Sequence, residues 1–149
     1  MHSQQQHVSR LLQAFGRATQ TPLRLDNGIC VLNDENGEEA AVIDVPAHSE
    51  QLLLHCRIVA LDGLDGLDGL EGLDEAAIYR LMLQLNFEMA AMRGCWLALD
   101  EFNQLRLCFQ HSLDRLDENR FNAMLSGFIQ QVTETRDFII SLLGQMQAA

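Results

Sequence analysis

The chain has 149 residues, 48% hydrophobic and 21% charged. That is enough apolar surface for one self-supporting domain over 1–149, and too much for a disordered chain. Its 21 acids against 10 bases, every base an arginine, give a net charge of −11, a field that repels nucleic acid and anionic lipid. No apolar run approaches the ~20 residues of a bilayer-spanning helix. The polar opening MHSQQQH lacks the basic-then-apolar pattern of a secretory leader, so a cytoplasmic protein is expected.

Val8, Leu11, Leu12 and Phe15 fall at i, i+3, i+4 and i+7, which predicts a short amphipathic helix ended by Gly16 or Thr21-Pro22. Three strands follow. Leu23 to Asp26 leads through Asn27-Gly28 into Ile29–Asn33. The turn Asp34-Glu35-Asn36-Gly37 then returns the chain along Glu39–Val45, stopped by Pro46. In Gln51–Leu61, Leu52, Leu54, Cys56 and Ile58 form an apolar parity, and Leu53, His55, Arg57 and Val59 a mixed one. One face therefore rests on a core and the other is partly exposed.

Residues 61–75 read LDGLDGLDGLEGLDE, a period of three that fits neither helix nor strand. The repeat holds Asp62, Asp65, Asp68, Glu71, Asp74 and Glu75, but its carboxylate spacing matches neither an EF-hand nor a nine-residue calcium repeat. It reads as an acidic, glycine-rich surface loop within the domain. From Glu75 to Arg93, Ile78, Leu81, Met82, Leu85, Met89 and Met92 predict a helix capped at Gly94, with Leu83, Phe87 and Ala91 widening its apolar surface. A hairpin of Cys95–Leu99 and Leu105–His111 comes next. A long helix then starts near Asp117, with Gly144 and QMQAA marking a fraying end. The order α-β-β-β-α-β-β-α predicts an α+β fold: a twisted antiparallel sheet of about five strands with helices packed on it.

Catalytic signatures are missing. His2, His7, His48, His55 and His111 lie in different segments, and no HExxH, GxSxG or phosphate-binding glycine loop occurs. Cys30, Cys56, Cys95 and Cys108 form no CxxC pair and read as reduced core residues. No enzyme activity, metal or cofactor is expected. What stands out is a surplus of apolar faces on an acidic body, which points to protein partners. Helix 75–93 is apolar on two sides in a chain too small to bury both. This predicts a homodimer through Leu81, Leu85, Phe87, Met89 and Trp96. The first helix must rest against the strands, and an extended partner is expected over Leu12, Phe15, Ile29, Val31, Val42 and Leu54.

Four stretches together resemble the class I type III secretion chaperones of Gram-negative bacteria, the Tir-chaperone (CesT-like) family. They are VSRLLQAFGRA, then IYRLMLQLNFEMAAMRGCWLALDE with its Leu-x-x-Asn-Phe pattern at Leu83, Asn86 and Phe87, then NQLRLCFQHSLDRLDENRF and FNAMLSGFIQQVTETRDFIISLL. The resemblance implies an α+β homodimer that binds the N-terminal segment of a secreted effector in extended form. It would keep that effector soluble and secretion-competent without ATP, with the secretion-apparatus ATPase as a further candidate partner. The alternative on the same scaffold is a regulator that sequesters a transcriptional or secretion-control partner. The LDG repeat departs from the family, which has a shorter link there.

Overall fold

The computed structural model describes residues 3–61 and 74–148, so the part of the acidic repeat at 62–73 lies outside the described residues. The elements run α1 (Ser3–Ala18), β1 (Ile29–Asn33), β2 (Glu39–Asp44), β3 (Gln51–Ala60), α2 (Glu75–Phe87), α3 (Met89–Met92), β4 (Trp96–Leu99), β5 (Gln104–Ser112) and α4 (Glu118–Ala148). The strands form one five-stranded antiparallel sheet in the order β1-β2-β3-β5-β4, the α+β architecture expected. Contacts divide the chain into two compact units, Met1–His55 with Phe109–Ile129, and Cys56–Cys108 with Gln130–Ala149.

In the first unit α1 turns its 3.6-residue stripe inward, burying Val8, Leu11 and Leu12. Two polar side chains of α1 fix its position. Buried Gln5 donates from Nε2 to Val45 O at 2.9 Å. His7 Nε2 lies 2.8 Å from Leu116 O, and because a carbonyl only accepts, Nε2 carries the proton. The connector after α1 runs close beneath it, since a Cβ on Gly16 would meet Thr21 O at 2.1 Å. Leu23–Asp26, expected to lead into the strand, is irregular backbone whose only sheet-like element is a bridge between Asp26 and Ile29. The reversal uses positive φ at Asn27 (51°) and Gly28 (81°), which Asn and Gly accept most readily. Ile43, Val45, Leu52, Leu54, Phe121 and Leu125 are fully buried in this unit.

In the second unit the single helix expected over 75–93 is divided. α2 begins with Asp74 capping Ala76 N–H at 3.1 Å and ends at Glu88, whose ψ of 68° turns the chain before α3. No Gly or Pro marks this break, so the hydrophobic period runs through it. The left-handed cap falls on Arg93 (φ 54°), one residue before Gly94 (φ 86°). The β4–β5 hairpin is organised by Asp100. Its Oδ1 accepts from Phe102 N–H and Gln104 N–H, both at 2.9 Å, and its Oδ2 pairs with Arg106 at 3.5 Å. Arg136 of α4 donates to the carbonyls of Arg57 and Ile58. α4 itself starts where Asp117 Oδ1 accepts from Arg120 N–H, in its own first unit, and continues through Gly144 to Ala148.

Candidate functional site

The sheet order makes β1 an edge strand, paired on one side only with β2. In an antiparallel pair each residue turns both its N–H and its C=O to the same side, and successive residues alternate. Gly28 O accepts from Val45 N–H, and Asp34 N–H donates to Glu38 O. Even-numbered residues of this stretch therefore face β2, and Ile29, Val31 and Asn33 turn outward. The outward pair of Ile29 is filled by the backbone of Asp26, at 2.8 and 3.0 Å. Among the described residues no bond occupies the outward groups of Val31 or Asn33. Two consecutive outward residues thus offer four backbone hydrogen-bonding groups to an added strand.

The side chains beside this edge are apolar and open. Ile29 is 43% and Val31 50% exposed, while Cys30 on the opposite face is buried. A shallow groove of about 390 Å³ runs along the edge between Pro22, Leu23, Arg24 and Asp26 on one wall and Ile29 and Val31 on the other. A second concavity of about 660 Å³ shares Pro22, Leu23 and Arg24, and extends over Gly16 and Arg17 at the end of α1. Arg17 and Arg24 bring positive charge to this surface of a strongly acidic chain.

Of the residues expected to hold an extended partner, the structure brings Ile29 and Val31 to one open edge and leaves Phe15 half-buried on α1. Leu12, Val42 and Leu54 are placed in the core of the unit, at or near zero exposure. The reason is packing. The α1 stripe can be stable only against the sheet, and Val42 and Leu54 sit on interior strands. Pro22, Leu23 and Arg24 line the groove, and Arg17 the adjoining concavity, without a signal in the hydrophobic period, because they lie in an irregular connector and at a helix end.

The residues expected at a dimer interface all fall in the second unit. Leu81 and Leu85 are half-buried, whereas Phe87 is 79% exposed, Met89 72%, and Trp96 is also exposed. Leu83, at 71%, joins Phe87 on an open concavity of about 940 Å³ bordered by Tyr79 and Arg80. Four large apolar side chains on one short stretch, three of them more than two-thirds exposed, are unusual on an isolated surface. Burial shifts three of the four thiols upward. Burial raises the Cys30 and Cys108 thiols above their ordinary value. At Cys95 burial, aided by neighbouring Cys108, pushes the thiol up to about 11. Among the described residues no group of three His, Cys, Asp or Glu could hold a metal ion. No helix of the described residues is long and apolar enough to cross a membrane.

Comparison with known proteins bears on the fold and the family. A chain of the ExsC–ExsE complex superposes with a TM-score of 0.71 at 22% identity, covering 91% of this chain and 95% of its own length. A chain of the HopA1–SchA chaperone–effector complex gives 0.67 at 16% identity, covering 92% and 98%. The complex of the Yersinia pestis type III secretion chaperone SycH with a fragment of YscM2 gives 0.54 at 15% identity, covering 85% and 97%. At these identities the likenesses establish a shared fold. No curated protein matches the sequence. The family model described as Tir chaperone protein (CesT) family matches residues 10–136, most of the sequence. The chain therefore belongs to the Tir chaperone (CesT) family.

Proposed function

We propose that this protein is a type III secretion chaperone. It binds an extended N-terminal segment of a secreted effector along the outer edge of β1 and keeps that effector soluble and secretion-competent, without ATP. The observation that carries the reading is the open edge at Val31 and Asn33 beside the exposed side chains of Ile29 and Val31. A folded partner cannot easily reach backbone groups at a strand edge, but an extended segment can pair with them and place alternate side chains in the groove. Family membership and the fold shared with the HopA1–SchA chaperone–effector complex support the same assignment. Arg17 and Arg24 favour a guest with carboxylates among its apolar anchors.

The working form is a homodimer, with Phe87, Met89 and Trp96 at its interface and Leu81 and Leu85 supporting them from within. Burying this patch against a second copy removes apolar surface that would otherwise make the chain aggregate. The testing experiment is affinity capture from cells with an active secretion system, followed by identification of the bound chains. Effector N-terminal segments should be retained by the native chain and lost with Val31→Asp. Capture of a non-secreted regulator in their place would assign the sequestering role instead. Capture that is insensitive to Val31→Asp would remove β1 from the site.

A further inference from the structure

The edge strand of the second unit, β4, differs from β1 in one detail. Trp96, Leu97, Ala98 and Leu99 oppose Cys108, Leu107, Arg106 and Leu105 of β5, and Asp100 N–H donates to Gln104 O. That parity turns Trp96 and Ala98 toward β5, and Leu97 and Leu99 outward. The outward groups of Leu97 are both taken by a single side chain from the end of α2. Leu97 N–H donates to Asn86 Oδ1 at 2.7 Å, and Asn86 Nδ2 donates to Leu97 O at 3.1 Å. Cys95 N–H, next along the same edge, is taken by Met92 O at 3.0 Å.

We propose that Asn86 acts as a surrogate strand: its amide reproduces the peptide group that a neighbouring strand would present to Leu97, closing the outer edge of β4 to any extended chain. Only an amide side chain supplies one donor and one acceptor in this geometry. An apolar residue at 86 would pack but leave both Leu97 groups unpaired, and a carboxylate would accept from the N–H while repelling the C=O. Among the described residues, the closure leaves Leu99 as the lone open outward N–H and C=O pair on a strand of four residues, too few to hold a guest. β1, with consecutive outward pairs at Val31 and Asn33, is then the edge where a strand can add. Exposed edges are also the usual route to uncontrolled sheet-to-sheet association, and β4 carries no proline or lysine to prevent it. This deepens the proposed function by fixing where an extended partner is refused. It also predicts that two copies meet through side chains of the second unit rather than through a continuous sheet across β4.

The test uses the chain alone, so its failure is separable from failure of the chaperone assignment. In the native chain the Leu97 amide should be protected from hydrogen exchange; exchange at the rate of an unstructured amide would overturn the proposal without any variant. In Asn86→Ala, Leu97 should exchange about tenfold faster or more, while Ala98, bonded to β5, keeps its native rate. Equal acceleration of both would mean that Asn86 only stabilises the fold, and would also overturn it. Sedimentation of Asn86→Ala should show assemblies larger than the native form that grow with concentration. Adding Leu99→Lys, a charge on the reopened edge, should return the mass to the native value. An unchanged mass in Asn86→Ala, or assemblies indifferent to Leu99→Lys, would refute the sealing role.

Discussion

Val31→Asp separates the proposed guest site from the core most cleanly, because Val31 and its register partner Val42 are the same residue type in opposite environments: 50% and 6% exposed. Full burial of a valine side chain is worth about 1.5–3 kcal/mol, so a guest that covers the open half of Val31 gains roughly half that. An aspartate there loses this gain and must also surrender hydration of its carboxylate, which costs at least about 2 kcal/mol more in an apolar contact. Together these should weaken guest binding by about a hundredfold or more, at 1.4 kcal/mol per factor of ten. The free chain should barely respond. Its carboxylate stays in water, and the lost strand preference is at most about 1 kcal/mol, a melting shift of about 2–4 °C for a chain of this size. Titration of a fluorescent effector segment, with thermal melting alongside, reads both quantities. Val42→Asp should prevent folding. If Val31→Asp melts as early as a core variant, Val31 belongs to the core. If it folds and binds within threefold of the native chain, the guest does not use β1.

Three further outcomes are expected. Gly28→Ala should cost about 2–4 kcal/mol in chemical denaturation, since Gly28 has φ 81° and an added Cβ would lie 2.7 Å from Val45 O and 2.8 Å from Gln5 Nε2; Gly37→Ala, at φ 77° with open space around it, should cost only about 1 kcal/mol. Sedimentation at micromolar concentration should give about twice 16.8 kDa, and Phe87→Glu with Met89→Glu should give a folded monomer with unchanged helical circular dichroism; a native monomer would refute the interface. Because burial raises the Cys95 thiol from 9.0 to about 11, the folded state holds its proton longer than the unfolded state does. That stabilisation is complete below pH 9 and fades as pH rises toward 11, so Cys95→Ala should flatten the alkaline loss of stability over that window; an alkaline limb unchanged in the variant would show that other groups set it.

Much of the fold is legible in the sequence because its signals are local. The α1 stripe, the Asn27-Gly28 and Asn36-Gly37 turns and the Asp117 cap each act within a few residues, and each is where its residues predict. The break at Glu88 is not legible. It depends on how α2 and α3 lie against the rest of their unit, and the methionine-rich period continues across it. Leu12, Val42 and Leu54 show the matching limit for the site. A single chain displays which residues are apolar, and it does not display which of them another element will cover.

The edges of the sheet make the same point in energetic terms. Ile29, Val31 and Leu97 are aliphatic strand residues with outward-turned backbones, and nothing in their immediate neighbours announces three different fates. At Ile29 the seal is local: the Asn27-Gly28 reversal brings Asp26 back onto it, so it can be anticipated from the turn. At Leu97 the seal comes from Asn86, eleven residues away and on another element, and it appears only once α2 lies along β4. At Val31 there is no seal among the described residues. Each unpaired buried backbone group costs about 1–3 kcal/mol, so an edge that is left open must stay in water or be met by a partner. With β4 closed by a side chain and β1 left to solvent, β1 is the edge among the described residues where a strand can add, and the proposed guest binding would then take one segment per chain.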